Sequence, residues 1–355
     1  MEIFKLMQNT NSNEVVFFEE PSVGLRAIVA VNDTTLGQAI TTCRMKKFEK
    51  QDIAVKTALN MAYYNTFRAA LLHRPFGGAG LAICEDKNTP SEMFFRTLGV
   101  FINKWNGKII LTRSSAITHK DMLDIKRETN FLLGIDERYI NTNNSPVESI
   151  AKGMIQGIRA IVRKKFESDN LEGLTFVIQG VGEIGSNLIK ELMKIKNTKI
   201  TVTDIIYDKI KVIQDHSPEI KVVKPNDVFK EQCDIFVSCA TNNLITPETS
   251  KQLQCKILTG SSNEILSSPE IEETLTKAGI TYVPGFIISS GEIIQLDNEK
   301  KGNDPSILEK ELSEIFYTTL ELLNIAEAEK KSITEIAIRT AKEYIEGVAG
   351  IKKLR

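Results

Sequence analysis

LTFVIQGVGEIGSNLIKELMKIKNTKITVTD, residues 174–204, is the stretch on which the fold turns. Its first six residues form a short apolar run bounded by Gly173, which suits a buried strand. Gly180, Gly182 and Gly185 follow at G-x-G-x-x-G spacing. From Ser186 the pattern becomes helical, with Leu188, Ile189, Leu192 and Ile195 on one face. A second strand then ends in Asp204, at about the twenty-residue spacing expected for an acid that binds ribose. Each part serves a physical purpose: a tight turn, close backbone approach to a pyrophosphate, close helix–strand packing, and a carboxylate for ribose hydroxyls. The spacing alone is weak evidence, but strand, glycines, helix, strand and acid occur here in order and predict a dinucleotide site.

Working outward, strand-like segments recur between helical ones at 220–223, 233–239, 256–260 and 280–285. That alternation predicts a doubly wound parallel sheet. A helix over about 147–166 leads into it, and NTNNSP (141–146) reads as the linker before that helix. On the N-terminal side, 14–20 and 24–31 read as strands, with a loop or further strand at 32–45. A helix over about 51–72 follows. HRPFGGAG breaks that pattern, LAICED resumes as a strand, and SEMFFRTLGVFINKWNG is a helix with a serine start and a glycine stop. IILT is another strand and THKDMLDIKRETNFLL another helix. From Ile307 onward the chain is helical and charged. The fold class is therefore α/β, with a mixed N-terminal domain at 1–145, a Rossmann domain at 146–305 and C-terminal helices at 306–355.

Forty-five basic and forty-six acidic side chains leave a formal charge of −1. This gives no global field to draw nucleic acid or an anionic membrane. No apolar run approaches bilayer length, and MEIFKLMQNTNSNE lacks a signal-peptide core. Five scattered cysteines, not at metal-ligand spacing, suit reduced thiols in the cytoplasm and no metal. Cys43 and Cys239 have no histidine near them in sequence and read as plain thiols.

Across nearly its whole length the chain resembles the glutamate/leucine/phenylalanine/valine dehydrogenase superfamily, and the leucine dehydrogenases most closely. NDTTLG (32–37), Arg44–Met45, EMFFRTLGVFINKWNG (92–107), SPV (145–147), LEGLTFVIQGVGEIGSNL (171–188), VTD (202–204), CDIFVSCA (233–240) and PGFIISSGEII (284–294) carry the likeness. The resemblance implies an N-terminal domain for substrate and oligomer contacts, an NAD(P) domain, a cleft between them, and terminal helices that return to the first domain. It implies oxidative deamination of L-amino acids through two lysines and an aspartate: a cation for the substrate carboxylate, a tuned ammonium, and a general acid/base.

Residue by residue, those positions differ. The carboxylate-binding lysine falls on Arg68, the catalytic lysine on Gly80, and the aspartate on Ser114 beside Arg113. The glycine pair before Arg44 is Thr41 and Thr42, the substrate-facing asparagine is Ser289, and a threonine near the nicotinamide is Glu148. The candidate substrate contacts are thus Arg68, Thr41, Thr42 and Ser289. The candidate cofactor contacts are Gly180, Gly182, Glu183, Ile184, Gly185, Asp204, Cys239, Ala240, Thr241 and Asn263. Asp204, followed by Ile205 and Ile206 with no arginine to receive a 2′-phosphate, predicts NAD over NADP. Arg68, His73, Arg74 and Arg113 would form an electropositive pocket, with His73 as proton donor or acceptor and His73, Arg113 and Ser114 as catalytic candidates. Two functions follow from this pattern. One is a divergent NAD-dependent oxidoreductase acting on an amino-acid-like or imine substrate. The other is a catalytically inactive NAD-binding protein, as a homo-oligomer or as a subunit beside a paralogue.

Overall fold

The computed structural model describes residues 2–85, 91–114 and 117–354. Asp86, the end of the LAICED segment, and Ser115 and Ala116 of TRSSAI lie outside them. The chain divides into two compact units. The first comprises Met1–Pro146, Gln295–Pro305 and Thr340–Arg355; the second comprises Val147–Ile294 and Ser306–Arg339.

The first unit runs α1 (Ile3–Thr10), β1 (Glu14–Glu20), β2 (Leu25–Asp33), β3 (Ala39–Lys46), α2 (Gln51–Leu71), β4 (Gly77–Cys84), α3 (Glu92–Asn103), β5 (Ile109–Thr112), α4 (His119–Lys126), β6 (Leu132–Leu133) and α5 (Glu137–Ile140). Its six strands lie in the order β1-β2-β4-β3-β5-β6. The β1–β2 and β2–β4 pairs are antiparallel and the rest parallel, so the sheet is mixed. Strand alternation sends Val29, Cys43 and Leu81 toward Phe94 and Leu98 of α3 and Met122 and Ile125 of α4. It sends Ile28, Ala30 and Ala82 toward α2, which meets them with Ala54, Ala58 and Ala62. These alanines recur every fourth residue and form a flat stripe along the helix. Ser91 caps α3 by accepting the Phe94 N–H at 3.2 Å, a contact worth about 1 kcal/mol.

Two local expectations fail here for identifiable reasons. The segment HRPFGGAG does not simply break the pattern: β4 begins inside it, at Gly77. Its glycines lie directly beneath α2, where side chains would collide. The helix starting at His119 ends at Lys126; the Phe131 N–H is taken by Thr129 Oγ1, and Leu132 and Leu133 join β5 as a short strand.

The second unit begins with α6 (Pro146–Phe166) and continues through β7 (Thr175–Gln179), α7 (Glu183–Met193), β8 (Lys199–Thr203), α8 (Tyr207–His216), β9 (Lys221–Val222), β10 (Ile235–Ser238), α9 (Pro247–Ser250), β11 (Ile257–Gly260), α10 (Glu270–Lys277) and β12 (Thr281–Tyr282). The strands are all parallel, in the order β12-β11-β10-β7-β8-β9. The chain winds one way from β7 to β9 and the other from β10 to β12, so the direction switches between β7 and β10. This is the doubly wound order of a Rossmann sheet. Short α11 (Gly285–Ile288), then α12 (Gly291–Lys301), α13 (Leu308–Leu312), α14 (Glu314–Glu329) and α15 (Ile333–Lys352) complete the chain.

Residues 295–305, expected with the Rossmann domain, belong by their contacts to the first unit. Polar bonds hold them there. Glu299 accepts the N–H groups of Gly134 at 2.9 Å and Ile135 at 3.2 Å. Burial pushes its carboxyl above the usual range despite those bonds. Asp297, also buried, receives Arg74 at 3.4 Å and Lys301 at 2.7 Å. The C-terminal stretch divides as well: 306–339 lie with the second unit and 340–355 with the first.

Candidate functional site

In the second unit the glycine turn is built as its sequence requires. The chain leaves β7 at Gln179, and Gly180 takes φ +95°, a left-handed conformation that disfavours side chains. A Cβ on Gly185 would lie 2.1 Å from the Gly180 carbonyl oxygen, so glycine is what lets α7 pack against the turn. Gly182 is the N-cap of α7 and covers the helix end with no side chain. The first-turn N–H groups therefore face open space, an arrangement suited to an anionic phosphate. At the end of β8, Asp204 accepts the N–H of Val181 through Oδ2 and of Ile206 through Oδ1, both at 2.9 Å. Those bonds fix the carboxylate beside the turn and leave lone pairs for ribose hydroxyls.

The remaining cofactor candidates sit at the same strand ends. Glu183 and Ile184 open α7. Cys239 and Ala240 follow β10 and back onto Gly180, whose built Cβ would meet Ala240 N and Cys239 C at 2.9 Å. Thr241 is exposed beyond them, and Asn263 follows β11. A crevice at the carboxyl ends of the strands, where the winding switches, is where such sheets bind dinucleotides. The residues present fit that ligand. Cys239 donates its N–H to Gln179 O at 2.7 Å, and desolvation pushes its thiol up to about 12. It is a packing residue, not a nucleophile. Iodoacetamide at pH 8 is expected to modify Cys239 in the native protein at least roughly a hundredfold more slowly than in the unfolded chain, as peptide mass spectrometry would read.

In the first unit Arg68 lies in the last turn of α2, buried, with a nitrogen 3.4 Å from Asn65 Oδ1. Asn65 in turn donates to Thr42 Oγ1 at 3.1 Å and to the Ala79 carbonyl at 2.9 Å. Two predicted substrate residues, Arg68 and Thr42, are thus joined through Asn65. Sequence inspection passed over Asn65, although its i, i+3 spacing from Arg68 marks it as a neighbour on the same face. A buried guanidinium with an amide and a hydroxyl beside it is a donor set for a carboxylate.

The same register decides position 80. Thr42 pairs with Gly80, and Gly80 faces α2: a Cβ there would lie 2.2 Å from Ala58 O, 2.7 Å from Met61 Cβ and 2.9 Å from Ala62 N. At Gly78 the same construction meets Ala62 O at 2.2 Å and Thr66 N at 2.3 Å. Helix backbone covers strand backbone, and no side chain fits between them.

Other candidates are not brought together. Thr41 alternates with Thr42 and shares a face with Ala39 and Cys43, which belong to the α3/α4 core, so it turns away from Arg68. The expected four-residue electropositive pocket does not form. Arg74 is committed to buried Asp297. His73 is exposed at φ +52°, its ring 4.3 Å from that of Tyr344. His73 and Arg74 precede β4, whereas Arg113 and Ser114 follow β5. Both strands run parallel to β3, so the two pairs lie toward opposite strand ends. The Arg113 N–H bonds Leu133 O at 3.2 Å, and Ser114 forms an isolated bridge with Ile117. The grouping of His73 with Arg113 and Ser114 as one catalytic set therefore fails on strand polarity. Ser289, buried after α11, belongs to the second unit. Among the described residues no cluster of three or more His, Cys, Asp or Glu side chains could hold a metal, and no helix is long and apolar enough to cross a membrane.

Known proteins share this sequence and this architecture. The profile of the Glutamate/Leucine/Phenylalanine/Valine dehydrogenase family matches residues 191–345. A phenylalanine dehydrogenase of Lysinibacillus sphaericus is 32% identical over 342 residues, covering 95% of this chain and 89% of that protein. A leucine dehydrogenase of Geobacillus stearothermophilus is 31% identical over 348 residues, covering 98% and 94%. The crystal structure of L-tryptophan dehydrogenase from Nostoc punctiforme matches with a TM-score of 0.76 at 27% identity, over 97% of this chain and 99% of that one. A hetero-hexameric glutamate dehydrogenase from Thermus thermophilus, in its Leu bound form, matches with a TM-score of 0.77, over 99% of this chain and 95% of that one. At 15% identity that last match is a likeness of fold alone.

Proposed function

Because this chain belongs to the glutamate/leucine/phenylalanine/valine dehydrogenase family, we propose that it is an NAD-dependent oxidoreductase for a carboxylate-bearing, amino-acid-like or imine substrate that does not oxidatively deaminate ordinary L-amino acids. NAD, when bound, supplies the hydride chemistry. The Gly180–Gly185 turn would cradle its pyrophosphate, and Asp204 would accept its ribose hydroxyls. Arg68, oriented by Asn65, would hold the substrate carboxylate.

The observation that carries the negative half of this proposal is the burial of Gly80 under α2. Hydrolysing an imine to ammonia and an oxo acid needs a tuned base or ammonium to activate water. The position the family resemblance assigns to that group carries no side chain and has no room for one. Hydride exchange with a pre-formed C=N or C=O bond makes no such demand. Five free cysteines and the relatives of this family support a cytoplasmic homo-oligomer.

The test pairs binding with turnover. Calorimetry is expected to show saturable NADH binding, tighter than that of NADPH. Leucine, valine or phenylalanine with NAD is expected to give no NADH absorbance above the enzyme-free rate; ready NADH production from any of them would refute the proposal. A panel of imines and 2-oxo acids with NADH then separates the two functions open from sequence. Consumption of NADH with any of them supports the oxidoreductase. Binding without turnover across the panel supports an NAD-binding subunit, the alternative that burial of Gly80 equally favours.

A further inference from the structure

Beside the glycine turn stands a charged side chain that neither the pyrophosphate cradle nor the ribose carboxylate uses. Lys209 lies in the first turn of α8, five residues past Asp204, and is exposed. Its ammonium reaches back over the turn. A Cβ on Gly182 would meet Lys209 Nζ at 3.9 Å and nothing else within 4 Å. Lys209 makes no ion pair among the described residues. The Asp204 carboxylate, by contrast, is pinned by the Val181 and Ile206 N–H groups. A fixed anion and an uncommitted cation therefore attend the same strand-end turn.

Their charges act oppositely on a dinucleotide. A carboxylate that accepts from the 2′ and 3′ hydroxyls repels a phosphate at the 2′ position. An ammonium a few ångströms away offsets that repulsion and can itself bond a phosphate oxygen. The two residues after Asp204, Ile205 and Ile206, offer no such cation; the helical turn that follows supplies one.

We propose that Lys209 is a specificity-determining residue that relaxes the NAD preference set by Asp204, so that the protein also takes NADP(H), with the Lys209 ammonium receiving the 2′-phosphate. This rests on assigning the dinucleotide site to the Gly180–Asp204 unit. A hydrogen bond to a charged group contributes about 1.5–3 kcal/mol, which is roughly tenfold or more in affinity.

The experiment is equilibrium titration of the full-length chain with NADH and NADPH, following quenching of protein fluorescence, for the wild type and Lys209→Gln. Thermal melts confirm that both are folded. Wild type is expected to bind both nucleotides, NADH more tightly. Lys209→Gln is expected to weaken NADPH roughly tenfold or more and NADH less than about twofold. Raising the salt concentration should weaken NADPH binding more in wild type than in the variant. Equal weakening of both nucleotides would mean that Lys209 serves the shared pyrophosphate and would overturn the proposal. So would unchanged binding of both, or wild type that binds NADH but not NADPH. Wild type that binds neither nucleotide would overturn the dinucleotide assignment itself, a distinct failure.

Discussion

Lysine introduced at position 80 is expected to damage the fold, not to create a dehydrogenase. The family resemblance puts a catalytic lysine there, so Gly80→Lys looks like a simple repair. Packing argues otherwise. The first atom of any side chain at this position would lie 2.2 Å from the Ala58 carbonyl oxygen and 2.9 Å from Ala62 N. Both are helix backbone and have no rotamer with which to yield. Either α2 lifts from β4, breaking the Ala54–Ala58–Ala62 contact with Ile28, Ala30 and Ala82, or the strand distorts. Overpacking a core costs about 1–3 kcal/mol, and a collision with backbone belongs at or beyond the upper end. At roughly 2–4 °C per kcal/mol, both Gly80→Ala and Gly80→Lys should lower the melting temperature by about 6–12 °C or more. Ser114→Asp, on a connection after β5, should shift it by no more than about 2 °C. Circular dichroism melts read all three. A Gly80→Lys protein that melts like wild type and makes NADH from leucine would sink both the packing argument and the proposed loss of deamination.

That same contact shows which parts of the molecule could be read from sequence. The unit at 174–204 was legible because its information is local: strand, glycines, helix and acid are contiguous, and each part's geometry follows from its neighbours. Residues 77–80 were not. GGAG reads as a turn when taken alone, yet the glycines answer an alanine stripe some twenty residues earlier in α2, and that pairing exists only once helix lies on strand. Strand period explains why Thr42 and not Thr41 joins Arg68, but applying it needs the face that α2 covers. Attachment of residues 295–305 to the first unit rests on Arg74–Asp297 and on Glu299 with Gly134, contacts across more than a hundred and fifty residues. Nothing in the local pattern announces them. The His73–Arg113–Ser114 grouping failed similarly: residue types suggested it, and strand direction separates it.

On the other side of the chain, Gly185→Ala is expected to abolish measurable NADH binding. The third glycine has no left-handed backbone to protect; its constraint is contact. Its built Cβ would stand 2.1 Å from Gly180 O and 3.3 Å from Cys239 Cβ. Relief requires α7 to move away from the turn, since the strand end is held by the Gly180 N–H to Thr203 O bond at 2.8 Å and the Cys239 N–H to Gln179 O bond at 2.7 Å. Displacing α7 carries its first-turn N–H groups away from the pyrophosphate position and parts Val181 from the Asp204 carboxylate that orients toward ribose. Several phosphate and ribose bonds weaken together, and losing about 3 kcal/mol of them lowers affinity by more than a hundredfold. Ser186→Ala is the informative companion. It removes only the bond from Ser186 Oγ to Val181 O at 2.9 Å, leaves the glycine contact intact, and should weaken NADH by no more than severalfold. Calorimetric titration of the two variants separates a helix displaced as a body from a single lost bond. Equal, small effects from both would mean that the turn tolerates a methyl group at position 185 and that α7 does not set the phosphate site.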